Sequence, residues 1–240
     1  MISHHADIVG SLLRPEELLA AQKQLASGTI ARTEFEEIEN RAVNDAIALQ
    51  ESIGLEIVTD GEMRRQSFQS QMTAAVSGFG EFDLDAFLWG KWYDDEGAHT
   101  KPRPRRLGAT AKLKRHRYLS SDEFSYLKAH TKRIPKITLP SAGLWANFWS
   151  PKYSRDIYPT LDAFLADIVE ILRDEVIELR GLGATYIQID APHYGLLLEP
   201  ATRGFYEGLG WSFEKWLSLG IDLDNAVMEG FPDVTFGFHI

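Results

Sequence analysis

The 240-residue chain contains no cysteine. That excludes a disulfide framework and any thiolate metal site made wholly from these residues. It also lacks an apolar run of about 18 residues, the length that spans a membrane as a helix. The N-terminal stretch MISHHADIVGS does not have the basic-then-apolar layout of a secretory signal, so a cytoplasmic location is expected. Positive charge is in deficit: 25 Lys and Arg stand against 35 Asp and Glu, a net charge of −10. Such a chain repels nucleic acid as a whole. No glycine-rich phosphate turn follows the first apolar segment, and there is neither an internal repeat nor a low-complexity tract.

What is present suits one globular domain over 1–240, since 44% hydrophobic residues supply an ordinary core. Ile8-Val9 reads as a short first strand opening at Gly10-Ser11. Pro15 begins a helix that runs to Ser27-Gly28. Thr33 and Glu36 have capping-box spacing, and Phe35, Ile38, Ala42, Val43, Ala46, Leu49 and Ile53 continue a second helix to Gly54. Leu55–Thr59 is a strand by its β-branched content, and it ends in Asp60-Gly61-Glu62. Residues 76–135, aromatic-rich and without a strong period, read as an inserted, elaborated loop. Lys136–Pro140 is a third strand. Thr160 caps a helix with one apolar stripe from Leu161 to Leu179, stopped by Gly181 and Gly183. Tyr186–Ile189 is a fourth strand running into Asp190. A helix around Phe213–Leu219 then leads to a last strand, Val234–His239. Strands alternating with helices predict an α/β fold with a mostly parallel sheet. Polar residues at each strand's C-terminal end are where a (β/α)8 barrel keeps its chemistry.

Candidate residues follow from those strand ends. Glu62 and Asp190 each close an apolar strand, where a carboxylate is costly unless it meets a cation or donors. Facing one another, they would bind an ammonium group or share a proton. The alternative pairs Glu62 with Arg64 or Arg65 and has Asp190 cap a following turn. Ser11, beside Gly10, offers a hydroxyl and backbone N–H groups to a carboxylate, or simply forms a turn. His193 is a candidate acid or a stacked loop residue. His239 lies at a strand end with no nearby Cys or His, so alone it is a weak sign of a metal site. His4 and His5 sit near the terminus and carry no argument. Between Lys101 and Arg117 stand eight positive residues and no acid; an anionic ligand, a subunit contact and a solvated loop all remain open.

Taken in order, Val9-Gly10-Ser11-Leu12-Leu13-Arg14-Pro15, Asp60-Gly61-Glu62-Met63-Arg64-Arg65, Leu139-Pro140-Ser141, Tyr186-Ile187-Gln188-Ile189-Asp190 and Phe238-His239 resemble the C-terminal catalytic barrel of cobalamin-independent methionine synthase. They are closer still to its short single-domain relatives. The resemblance implies a TIM-type barrel, shared with the uroporphyrinogen decarboxylases, of which about five of eight strands are expected here. It implies zinc-dependent methyl transfer to a thiol, with 5-methyltetrahydrofolate and homocysteine as donor and acceptor. Glu62 and Asp190 would take the amino acid's ammonium, Ser11 its carboxylate, and His239 would be the first zinc ligand, in a His-x-Cys motif whose Cys is expected after Ile240. The remaining ligands are expected further on, so the chain reads as a truncated barrel awaiting a complementing C-terminal segment, or as part of a homo-oligomer. The family's Glu after Asp190 is replaced by Ala191. Trp145, Phe148 and Trp149 lie where the family contacts the pterin. Other readings are a transferase for another thiol such as coenzyme M, a metal-free barrel lyase, and a non-catalytic truncated or split-gene subunit.

Overall fold

The computed structural model describes residues 6–67, 70–81, 92–94, 97–99 and 107–240. Its elements, in chain order, begin with helices α1 (Glu16–Ala26) and α2 (Arg32–Ser52), strand β1 (Ile57–Val58) and helix α3 (Ser70–Ala75). Strands β2 (Val76–Glu81), β3 (Trp92–Asp94), β4 (Gly97–His99) and β5 (Leu107–Arg115) follow, then α4 (Ser121–His130) and β6 (Ile134–Pro140). A 3-10 turn spans Ala142–Phe148. The last elements are α5 (Leu161–Gly181), β7 (Tyr186–Asp190), α6 (Pro192–Leu196), α7 (Pro200–Gly208), α8 (Phe213–Met228) and β8 (Thr235–His239).

The main sheet is β1-β6-β7-β8, parallel at every junction. Its spatial order follows the chain without reversal. A doubly wound sheet reverses at a switch point, whereas a barrel adds each strand on the same side. Four parallel strands form this arc. Two antiparallel pairs, β2 with β5 and β3 with β4, stand apart from it.

Alternation divides β6 and β7 into two faces. Ile137, Leu139, Ile187 and Ile189 are buried in the main core with Phe164, Leu165, Ile168, Leu172, Val176 and Leu179 of α5. Lys136, Thr138, Gln188 and Asp190 occupy the other face and are buried too. A sheet with buried polar side chains on one face must satisfy them internally, and that face carries the site. A second, smaller core joins α1 and α2 to Val58, Met63 and Leu127.

Several expectations need correction. Ile8-Val9 forms no strand: the carbonyls of Ile8 and Val9 are taken by the side chains of Lys136 and Gln188 rather than by a neighbouring strand. The main sheet accordingly has four strands among the described residues, not five. The capping box is not made. Helix α2 starts one residue before Thr33, behind an extended Ala31 without a side-chain cap, and Arg32 Nε instead reaches Glu36 at 2.8 Å. The span 76–135 contains α4 and the β2–β5 ladder. Helix α8 extends to Met228 and gives Asp224 a buried place. The best-patterned helix behaves as expected: Thr160 accepts the Ala163 N–H at 3.2 Å, and Gly183 turns the chain at φ +92°.

Candidate active site at the strand ends

The turn after β1 is built by local polar groups. Thr59 Oγ1 accepts the Gly61 N–H at 3.0 Å, and Asp60 Oδ1 accepts the Glu62 N–H at 2.9 Å. Gly61 (φ +68°) and Glu62 (φ +54°) are both left-handed, and Glu62 is the one non-glycine residue with positive φ among the described residues. That conformation costs a glutamate roughly 1–3 kcal/mol, so surrounding contacts must impose it. They do. Thr138 Oγ1 donates to Glu62 Oε1 at 2.6 Å, the Ser11 hydroxyl donates to Oε2, and Arg14 Nη2 donates to the Glu62 carbonyl at 2.9 Å. Gly10 has no side chain because a Cβ there would lie 2.7 Å from Glu62 Oε1.

Arg65 anchors this group from behind. Its guanidinium is 1% exposed and meets Glu62 at 3.4 Å, Glu123 of α4 at 2.8 Å, Thr138 Oγ1 at 2.9 Å and the Thr138 carbonyl at 3.0 Å. Arg64 faces away, to Glu39 and Asn40. The alternative pairing of Glu62 with an arginine is therefore realised through Arg65, and it coexists with the placement of Glu62 at the site. Three buried carboxylates, Asp60, Glu62 and Glu123, share that one guanidinium. Burial, reinforced by Glu123, pushes the Asp60 carboxyl up to about 6, and its Oδ2 has no partner.

Asp190 ends β7 in register with His239 of β8. Its Oδ1 accepts from Gln188 Nε2 at 2.7 Å and from His239 Nδ1 at 3.0 Å, so Asp190 caps no turn. Burial raises its carboxyl above the ordinary range; the two hydrogen bonds pull it down, while the Glu62 carboxylate pushes it further up. That repulsion places Glu62 and Asp190 within electrostatic reach of each other. Ser11, Glu62, Asp190 and His239 thus converge at one end of the sheet, carrying more negative charge than local cations balance.

His193 is not with them. It is fully buried in α6 against the rings of Tyr194, Tyr206 and Trp216, and neither ring nitrogen has a partner. Burial alone lowers its pKa to about 3, so it is neutral at pH 7 and supplies no proton as an acid there. Trp145 and Trp149 are also buried, in and after the 3-10 turn that follows β6. His4, His5 and Lys101 to Arg106 lie outside the described residues. From the rest of the basic stretch, Arg115 pairs with Asp174 at 3.0 Å and Lys112 with Asp167 at 3.5 Å.

Sequence reasoning missed Arg65 as an anchor and Lys136, Gln188, Glu175 and Asp224 altogether. The signal was a polar residue at an apolar position, as with Gln188 in the strand Tyr186-Ile187-Gln188-Ile189 and Glu175 on the helical stripe of Leu172, Val176 and Leu179.

The catalytic-domain model of the cobalamin-independent synthases matches residues 5–93, which include the Ser11 and Glu62 turns. The methionine synthase of Pyrococcus abyssi is 31% identical over 186 residues, 77% of this chain and 51% of that protein. The chain is similar to the cobalamin-independent methionine synthase family. An uncharacterized Bacillus subtilis relative, YxjH, is 26% identical over 98% of this chain and 60% of its own length. The chain thus spans about half to three-fifths of these curated relatives. A Listeria monocytogenes structure described as a vitamin-B12-independent methionine synthase superposes with a TM-score of 0.72 at 20% identity, over 99% of this chain and 65% of that one.

The zinc that the resemblance implies does not fit the donors present. The 240 residues hold no thiolate, and no group of three His, Cys, Asp or Glu among the described residues can hold a metal. At the strand ends, His239 offers one imidazole nitrogen, Nε2, beyond the Nδ1 that meets Asp190.

Proposed function

We propose that this chain carries the amino-acid-binding part of a thiol methyltransferase, acting on homocysteine with a methyl donor of the 5-methyltetrahydrofolate type. The observation that carries this reading is the convergence of Glu62 and Asp190, two buried carboxylates at strand ends of one sheet, short of compensating positive charge. An ammonium group supplies that charge, and charge-assisted hydrogen bonds of this kind are worth roughly 1.5–3 kcal/mol each. The Ser11 hydroxyl would turn from Glu62 to the substrate's carboxylate once the ammonium neutralises Glu62. Arg65, held by Glu123, keeps Glu62 in place throughout. Closure of the strand arc into a full barrel and dependence on zinc belong to the same reading. These residues offer zinc only His239, so no step is assigned to a metal.

Calorimetric titration of the chain with L-homocysteine and with 4-mercaptobutyrate, which lacks the amine, tests the proposal. Homocysteine binding is expected, with the des-amino analogue at least about tenfold weaker. Asp190→Asn is expected to remove most of that difference. Equal affinity for the two thiols would overturn the assignment of the carboxylates to an ammonium group.

A further inference from the structure

Lys136, Gln188, Asp190 and His239 form a continuous file of polar side chains on the polar face of β6, β7 and β8. Lys136 is fully buried, and Gln188 and Asp190 are 5% and 6% exposed. Lys136 Nζ donates to Asp7 Oδ2 at 2.8 Å, to the Ile8 carbonyl and to Gln188 Oε1 at 2.7 Å. Gln188 Nε2 donates to the Val9 carbonyl at 2.6 Å and to Asp190 Oδ1 at 2.7 Å. Asp190 Oδ1 also meets His239 Nδ1 at 3.0 Å.

The chemistry of the groups fixes the direction of the file. An ammonium only donates, so the amide atom facing Lys136 must be oxygen. The Gln188 amide group then points the other way, where two acceptors receive it. A flipped amide would set N–H against N–H at Lys136 and oxygen against oxygen at Val9 and Asp190. With Gln188 fixed, Asp190 Oδ1 is an acceptor, and a neutral His239 can meet it only by carrying its proton on Nδ1.

We propose that Lys136 and Gln188 are positioning residues that hold His239 in the Nδ1–H tautomer, so that the unprotonated Nε2 faces the open end of the sheet. The His239 side chain is 40% exposed, which leaves Nε2 available to a hydrogen-bond donor arriving there. The N-terminal segment takes part in this device: its carbonyls at Ile8 and Val9 complete the coordination of Lys136 and Gln188. The proposal does not depend on which group is transferred.

The histidine-labelled 240-residue chain, read by long-range 15N–1H correlation at a pH where the rings are neutral, gives the tautomer directly. The His239 signals are assigned by their loss in His239→Gln. The wild type is expected to show a protonated Nδ1 and a bare Nε2. In Lys136→Met and in Gln188→Leu the Nδ1–H signature is expected to weaken as the Nε2–H form appears, and Lys136→Arg, which keeps the donors, is expected to retain it. General loss of stability does not move this signal in molecules that remain folded. A wild-type ring protonated on Nε2 would overturn the proposal without any variant, and so would an unchanged Nδ1–H signature in whichever of the two variants folds. Either result would leave the ammonium assignment of Glu62 and Asp190 standing, because that rests on the thiol titrations.

Discussion

Replacing Asp60 by asparagine should stabilise the protein at neutral pH. The Asp60 carboxyl rises from 3.8 to about 6, first through burial and then through Glu123. Each pKa unit corresponds to about 1.4 kcal/mol, so the charged form costs about 3 kcal/mol relative to the unfolded chain. The sign follows from proton binding. Below 3.8 both states hold the proton and the group contributes nothing to pH dependence. Between 3.8 and about 6 the native state holds it while the unfolded state does not, so stability falls as pH rises. Above about 6 the full cost is present. The asparagine keeps the acceptor for the Glu62 N–H and removes the buried charge on Oδ2, which has no partner. Coupling to Glu62, Glu123 and Arg65 shares out part of the effect, so a gain of about 1–3 kcal/mol at about pH 7.5 is expected. Urea unfolding of both proteins at about pH 4 and pH 7.5 measures it. The wild type should lose more stability between those pH values than Asp60→Asn does. Equal pH dependence in the two proteins would refute the reasoning, as would a variant less stable than the wild type at the higher pH.

Arg65→Met should destabilise by about 3–5 kcal/mol, because it strands Glu62 and Glu123 as buried charges; chemical denaturation reads this, and a loss under about 1 kcal/mol would show the carboxylates to be neutral. Glu175 accepts the Leu119 and Ser120 N–H groups at 2.6 and 2.8 Å and so holds the start of α4. Glu175→Ala should therefore cost about 2–3 kcal/mol and speed hydrogen exchange in α4 before α5. His193→Leu removes two unsatisfied ring nitrogens from an apolar site, so stability should hold or rise by about 1 kcal/mol with homocysteine affinity unchanged. A tenfold loss of affinity would return His193 to the site.

Legibility in the sequence tracked the range of the interactions. Helix α5 was readable because its stripe, its Thr160 cap and its glycine stop are all local. Glu62, Asp190 and His239 were readable as strand-end polar residues, since apolar strands that finish in a charge are unusual without a partner. Ile8-Val9 satisfies the β-branched pattern of a strand, while its actual bonding comes from Lys136 and Gln188, more than a hundred residues away. Helix α4 was missed because its cap is Glu175 of another helix rather than its own Ser120 side chain. The role of Arg65 was hidden for the same reason. In the sequence it is one of two adjacent arginines, and only the fold shows that Arg64 turns out to Glu39 while Arg65 turns in to Glu123.

The raised carboxyl of Asp190 carries a consequence for binding. The free site resists ionisation because Asp190 is buried and lies near Glu62. An ammonium seated between them favours the charged form, so binding lowers the Asp190 pKa and, in mildly acidic buffer, drives a proton off it. Affinity for homocysteine should therefore weaken as pH falls, although the ligand's ammonium and thiol keep their protons throughout that range. The released proton is taken up by the buffer, so the observed binding enthalpy at about pH 5 should differ between acetate and a buffer with a larger ionisation enthalpy, and converge near pH 7.5. Calorimetry in the paired buffers separates this linkage from a general loss of structure, since unfolding would weaken binding without buffer dependence. Enthalpies that agree between buffers at both pH values would mean that Asp190 is already ionised in the free protein, and that Gln188 and His239 outweigh its burial.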